Sequence, residues 1–289
     1  MSLIRFTSIF LFISLFSGCV TPHPGERDAM IQIPFEQEVA WGEQAYREIL
    51  KDKKISQDRQ LIKIVQRVGN QLAAVSPQPN LKWQFLLIEA DKMEAFALPG
   101  GKVAITTGTL PICANEAGLA ALMSHQIAHT LARHGTRRMP TATSVGLTDH
   151  KYQKAVMEAW GVGTPVGLTQ PFSHSYESEA DEIGMLLMAK AGYDPREAER
   201  FWARAHTMSR GPNPPGIIST HPIDAMRIQG IRQLFPRAKR IYQTNPLKHG
   251  LGESFLYILS RRHMNPNSKK PSPPAHRYPD GSAPLPGTP

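Results

Sequence analysis

The chain has 289 residues, enough to bury one sizeable core with extensions, and its 41% hydrophobic content excludes a wholly disordered polypeptide. Its formal charge is +9, from 33 basic and 24 acidic residues. The basic residues are dispersed and accompany no nucleic-acid-binding motif, so no nucleic-acid partner is expected.

Arg5 is the only charge before an apolar run from Phe6 to Phe16, the length of a signal-peptide h-region and too short for a comfortable span. The run leads into Leu15-Phe16-Ser17-Gly18-Cys19, which resembles a bacterial lipobox with Phe16 where that pattern favours Leu. The expectation is a lipoprotein signal peptide over residues 1–18, cleavage before Cys19 and acylation of that cysteine; the alternative is an ordinary secretory signal with an incidental Cys. Val20 follows, with no Asp to suggest inner-membrane retention, so the resemblance implies a bacterial periplasmic protein anchored to the outer membrane through Cys19. With Cys19 acylated, Cys113 has no disulfide partner, and its apolar setting suits a small buried hydrophobe.

Residues 19–34, with Pro22, Pro24 and Pro34, read as a tether, and a domain is expected over residues 35–245. Phe35–Lys51 has a helical pattern, with Val39, Ala40, Tyr46, Ile49 and Leu50 available for one face. A second helix is predicted over Asp58–Val75, from Leu61, Ile62, Val65, Val68, Leu72 and Val75, ended by Pro77 and Pro79. Trp83–Ile88 reads as a strand, and Ala95–Pro99 and Lys102–Thr107 as a hairpin about Gly100-Gly101. One long helix is predicted over Asn115–Arg138, with Asn115 as N-cap and Gly135 as a weak point. Residues 139–173 are less regular. Tyr176–Ala191 is helical with Gly192 at its C′ position, and Pro195 begins a helix through about Met208. A Pro-rich loop, Pro212–Gly216, precedes Ser219-Thr220-His221-Pro222 and a last helix to about Phe235. Residues 246–263 form a C-terminal extension, and 264–289 a Pro-rich tail expected to be disordered.

The chemistry centres on His125-Gln126-Ile127-Ala128-His129. Two histidines at i and i+4 share a helical face and can give two nitrogens to one Zn²⁺. A third ligand is available in Glu177-Ser178-Glu179-Ala180-Asp181, where Glu177 and Asp181 share a face and Glu179 points elsewhere. One carboxylate can close a His₂Glu set, and the other can orient an imidazole by accepting its free N–H. The order of hairpin, His-pair helix, irregular segment and acidic helix is more specific than any of its parts.

Five ordered blocks carry a resemblance: Ala95–Gly101, Ser124–His129, Glu177–Asp181, Ala191-Gly192-Tyr193-Asp194-Pro195 and Ser219–Pro222. Over about residues 35–245 the chain resembles the zinc metallopeptidase family of the CAAX prenyl protease and HtpX. It is most like the periplasmic lipoprotein members, such as the β-barrel assembly-enhancing protease, and the mitochondrial overlapping-activity protease. The resemblance implies an α+β, mostly helical, zincin-like domain with a small β-sheet or hairpin beside the active-site helix. It implies one Zn²⁺ held by His125, His129 and Glu177, with Asp181 behind them, and polypeptide substrates or clients that are unfolded or misassembled. The segment Phe96, Ala97, Leu98, Pro99 and Gly100 then borders the cleft, where an extended substrate adds as a strand. His221 is a candidate to approach the metal, polarising a bound carbonyl or capping the open position, against the alternative of a buried structural histidine; Arg227 is read as an anchor for its helix.

The chain departs from that pattern at Gln126, which stands where the H-E-x-x-H motif has its general base, and at Glu94 and His174, where relatives often have Asn and Arg. A neutral amide cannot take a proton from water. Losing a general base costs roughly 10²–10⁴ in rate, whereas metal binding is expected to survive. Three readings follow: a pseudopeptidase serving as a polypeptide-binding chaperone or adaptor, an active metalloendopeptidase altered at one residue, or a neighbouring acid, Glu179 or Glu94, acting as substitute base.

Overall fold

The computed structural model describes residues 33–138, 158–160, 171–211 and 216–263. The expected signal peptide, Cys19, the tether to residue 32, most of the irregular 139–173 segment, residues 212–215 and the tail from 264 lie outside the described residues.

The fold is α+β and mostly helical. Helix α1 spans Phe35–Lys51 and α2 spans Arg59–Ala74, with Asp58 accepting from the Leu61 N–H as N-cap. Strands β1 (Gln84–Ile88), β2 (Ala95–Leu98) and β3 (Lys102–Thr106) form a sheet in the order β1-β3-β2, with β3 parallel to β1 and antiparallel to β2. The turn between β2 and β3 uses Gly100 and Gly101 at φ of 78° and 80°, a region that penalises any Cβ. Both faces of the sheet are covered. Phe85, Leu87, Ala95, Ala97, Val103 and Ile105 join the main core. Ile88, Phe96, Leu98 and Ala104 join a smaller cluster with Ala45, Tyr46 and Ile49 of α1, as the period-2 alternation of strand side chains requires.

The face of α1 is rotated from the expected one. Glu38, Gly42, Ala45, Tyr46 and Ile49 are buried, while Ala40 is exposed. Glu38 faces inward because Arg133 donates to its Oε2 at 2.6 Å, and Gly42 because the backbone of Pro99 passes where a Cβ would stand.

A short helix α3 (Leu110–Cys113) leads into α4 (Glu116–Leu131), capped by Asn115 accepting from the Gly118 N–H. All of α4 from Glu116 to Thr130 is buried, so it is the axis of the domain and is apolar on nearly every side. Cys113 is fully buried, which pushes its thiol up to about 12 and leaves it inert as a nucleophile.

The single helix predicted over Asn115–Arg138 is two. α4 ends at Leu131, and α5 (His134–Arg138) starts after Arg133, whose φ of 57° breaks the helix. The break is at Arg133 and not at Gly135 because tertiary contacts hold the arginine: it donates to Glu38 and to the Ile33 carbonyl. Gly135 serves packing, since Trp160 lies against it.

Helix α6 (His174–Lys190) starts at its N-cap Ser173 and ends at Gly192 with φ 88°. It packs closely along α4 because Gly184 has no side chain: a Cβ there would lie 3.0 Å from the His125 backbone nitrogen. α7 spans Arg196–Ser209, with Pro195 as its N-cap. Three further corrections concern the C-terminal part. Gly216–Thr220 is a short helix, α8, so Ser219 and Thr220 are helical. The last predicted helix does not stop at Phe235 but runs as α9 over Ala225–Thr244, through Pro236. An internal proline costs about 3 kcal/mol, and here burial of Ala238 and Tyr242 beyond it offsets that cost. The C-terminal extension carries α10 (Phe255–His263), whose Phe255 and Ile258 belong to the main core.

Candidate metal centre

The His-pair helix, the acidic helix and the segment after α8 meet at one buried point. His125 and His129 project from the last turns of α4, Glu177 from the first turn of α6, and His221 follows α8. α8 is tied to the sheet by the Ile217 N–H donating to the Met93 carbonyl, just ahead of β2. One donor atom from each of His125, His129, Glu177 and His221 lies within 4.8 Å of the others. His125 Nε2 is 3.0 Å from His129 Nε2 and 3.3 Å from His221 Nδ1. Glu177 completes the cluster, with Oε2 3.3 Å from His125 Nε2 and Oε1 3.3 Å from His129 Nε2 and 2.8 Å from His221 Nδ1.

These separations fit a small cation. Ligands about 2.05 Å from a tetrahedral zinc lie about 3.3 Å from one another. Imidazole and carboxylate are also the donor types zinc takes. Glu177 Oε2 is buried and receives no aligned hydrogen bond. All four residues are at most 2% exposed.

Behind the cluster stands a guanidinium. Arg227, in the first turn of α9, donates through Nε to Asp181 Oδ2 at 2.6 Å, through Nη2 to Asp181 Oδ1 at 2.8 Å, and through Nη1 to the Pro222 carbonyl at 2.7 Å. Nη1 also lies 2.5 Å from Glu177 Oε2. The guanidinium carbon is 4.1 Å from the centre of the Trp202 ring, which meets His125 edge-on. Asp181 Oδ1 sits 2.9 Å from His125 Nδ1, a charge contact slightly out of line for a hydrogen bond.

Burial by itself would raise the Glu177 carboxyl, but Arg227, then His221 and His125, outweigh it and hold it well below the usual carboxylate range. Burial likewise opposes ionisation of Asp181, and Arg227 again overrides it. Burial would lower His125, but Glu177 and Asp181 hold it up. Burial dominates at His129, whose imidazole falls well below its ordinary value, and lowers His221 and His134 too. Two carboxylates thus face one guanidinium, with the His125 imidazole, held up by both, on their other side.

Of the residues singled out by sequence, His125, His129, Glu177, Asp181 and His221 come together. Gln126 lies beside them with Nε2 3.0 Å from His221 Nε2. Phe96, Ala97, Leu98, Pro99 and Gly100 are buried; the first three point into the two cores, and β2 offers its outer backbone edge. Glu179 contacts His134 instead of the cluster, and the Glu94 side chain lies against Gly216. Arg227 reaches well beyond anchoring its own helix. The signal for it was the acidic pair itself, since two buried carboxylates on one face demand a cation. His134 carried no sequence signal, because its approach to His129 depends on the break at Arg133.

The chain matches the family described as Peptidase family M48 over residues 59–234. It is 33% identical over 230 residues to the mitochondrial metalloendopeptidase OMA1 of Schizosaccharomyces pombe, covering 76% of this chain and 66% of that protein. It is 32% identical over 179 residues to the OMA1 of Saccharomyces cerevisiae, covering 56% and 50%. It is 26% identical over 243 residues to the beta-barrel assembly-enhancing protease of Yersinia pestis, covering 79% and 49%. The chain therefore spans about half to two thirds of the length of these relatives.

Replacing Arg227 by Met leaves two buried carboxylates without their cation and is expected to destabilise the domain by about 3–5 kcal/mol. Both carboxyls are depressed in the folded state, so the stability they contribute is complete above their unfolded pKa and disappears as pH falls through the folded values. The variant's deficit should therefore be greatest near neutrality and shrink in acid, as read from urea unfolding across pH; an equal deficit at all pH values would refute the charge argument.

Proposed function

This chain belongs to peptidase family M48, and from that premise we propose a zinc-dependent metalloendopeptidase-like envelope protein acting on unfolded or misassembled polypeptides, its hydrolysis impaired by Gln126. The observation that carries this reading is the convergence of four buried donors within 4.8 Å of one another, with His125 Nε2 3.0–3.3 Å from its three neighbours. His125, His129 and Glu177 would hold the zinc. Asp181 would orient His125, and His221, whose Nδ1 lies 2.8 Å from Glu177 Oε1, would stand beside the position left for water or a substrate carbonyl, either to polarise that carbonyl or to cap the position. Zinc, when bound, supplies Lewis-acid polarisation of the scissile carbonyl and of the attacking water.

The protein's own groups supply the rest. Among the described residues β2 is an edge strand of the sheet, and an extended polypeptide can add along its outer side as a further strand. Gln126 occupies the position from which a carboxylate takes the water proton and returns it to the leaving amine. Its amide is close in shape to a carboxylate and can orient water, but has no basicity to move a proton. A second reading is favoured by the same residue: the cleft binds polypeptide without cutting it, and the chain is a pseudopeptidase acting as chaperone or adaptor. The lipobox-like Leu15–Cys19 and the bacterial relative supports placement in the periplasm, with acylated Cys19 in the outer membrane.

Purified chain should carry one zinc by elemental analysis, lost in His125→Ala. Gln126→Glu should raise digestion of unfolded casein by about 10²–10⁴-fold, with a chelator abolishing the gain. No gain despite bound zinc would favour the adaptor. His221→Ala should weaken zinc binding or alter peptide turnover; if it changes neither, His221 is structural. Labelled palmitate should enter the chain and fail to enter Cys19→Ala; equal labelling of both would exclude that anchor.

A further inference from the structure

His134 is fully buried but is not among the four donors. It opens α5, and its ring stacks on Tyr176 with centroids 4.5 Å apart and planes 17° from parallel. Its Nδ1 lies 2.9 Å from His129 Nδ1, and its Nε2 lies 3.0 Å from Glu179 Oε2. Glu179 stands at the rim with its side chain 43% exposed, and Arg137 Nη1 reaches the same oxygen at 3.4 Å.

The proton positions follow from the rim inward. A carboxylate only accepts, so His134 donates its Nε2–H to Glu179. A neutral imidazole protonated on Nε2 has only a lone pair on Nδ1. The 2.9 Å contact then requires His129 to donate its Nδ1–H to His134. That leaves the His129 lone pair on Nε2, the atom 3.0 Å from His125 Nε2 and 3.3 Å from Glu177 Oε1. We infer that Glu179 and His134 are positioning residues that together fix the tautomer and ring orientation of His129, holding its Nε2 ready as donor to a divalent cation.

The two histidines of α4 are thereby supported differently. Asp181 Oδ1 lies 2.9 Å from His125 Nδ1 with no residue between them. The carboxylate for His129 acts at one remove, through a second imidazole. Outer partners of this kind commonly set 10–100-fold in metal affinity. The inference rests on the zinc reading proposed above, and its test separates the two.

In the metal-free full chain, long-range ¹⁵N–¹H spectra of the imidazoles should show His129 protonated on Nδ1 and His134 on Nε2. Glu179→Leu, a rim substitution, should give mixed tautomers at His129 and weaken zinc binding severalfold in competition with a chromophoric chelator. His134→Phe keeps a ring against Tyr176 and should weaken zinc by about 10–100-fold. Adding Glu179→Leu to His134→Phe should cost nothing more, because Glu179 acts only through His134. An Nε2-protonated His129 in the unaltered chain would overturn the inference. So would an undiminished effect of Glu179→Leu in the His134→Phe background. A chain that takes up no zinc would defeat the proposed function, while the spectra would still decide the tautomer.

Discussion

Two carboxylates buried in an apolar interior are held there by one guanidinium. Moving an isolated carboxylate out of water costs several kcal/mol even after relaxation, and the usual result is protonation. Arg227 prevents that outcome by a two-pronged contact with Asp181 and a third contact with Glu177. The same triad ties α9 to α6. Glu177 thus lies between Arg227 on one side and the ring nitrogens of His125, His129 and His221 on the other.

The triad lies where α4 and α6 pack closely at Gly184. Gly184 removes the side chain that would hold them apart, at the level of the His125 backbone. A central helix buried on nearly all sides supplies the rigid partner. Its end is equally specific. If α4 continued regularly to Arg138, His134 would be five residues past His129, rotated about 140° and some 7.5 Å further along the axis. The left-handed turn at Arg133 folds His134 back to within hydrogen-bonding distance of His129. The arginine that makes this turn also holds the buried Glu38 of α1, so the break and the packing of the first helix depend on one residue.

Gln126 stands beside the four-donor cluster. Its amide contacts His221 Nε2, and the other nitrogen of that ring faces the donor cluster. An amide and a carboxylate differ little in shape, so the two proposed readings, metalloendopeptidase and polypeptide-binding adaptor, differ at this one position while the surrounding contacts stay the same.

Periodicity in the sequence located the three strands and most of the helices up to residue 209, because side-chain direction along a helix or strand follows from local geometry alone; it did not give the buried face of α1, the short α3 or the break between α4 and α5. The i,i+4 spacing likewise determined that His125 and His129 share a face, as do Glu177 and Asp181. The fold decided which faces meet. The turn at Arg133, the role of His134, the convergence of Arg227 on two carboxylates and the passage of α9 through Pro236 all depend on partners distant in the chain. Their energies, a few kcal/mol of burial or charge pairing, override local preference. A sequence specifies which groups can point together; only packing brings the groups from separate helices within bonding distance of one another.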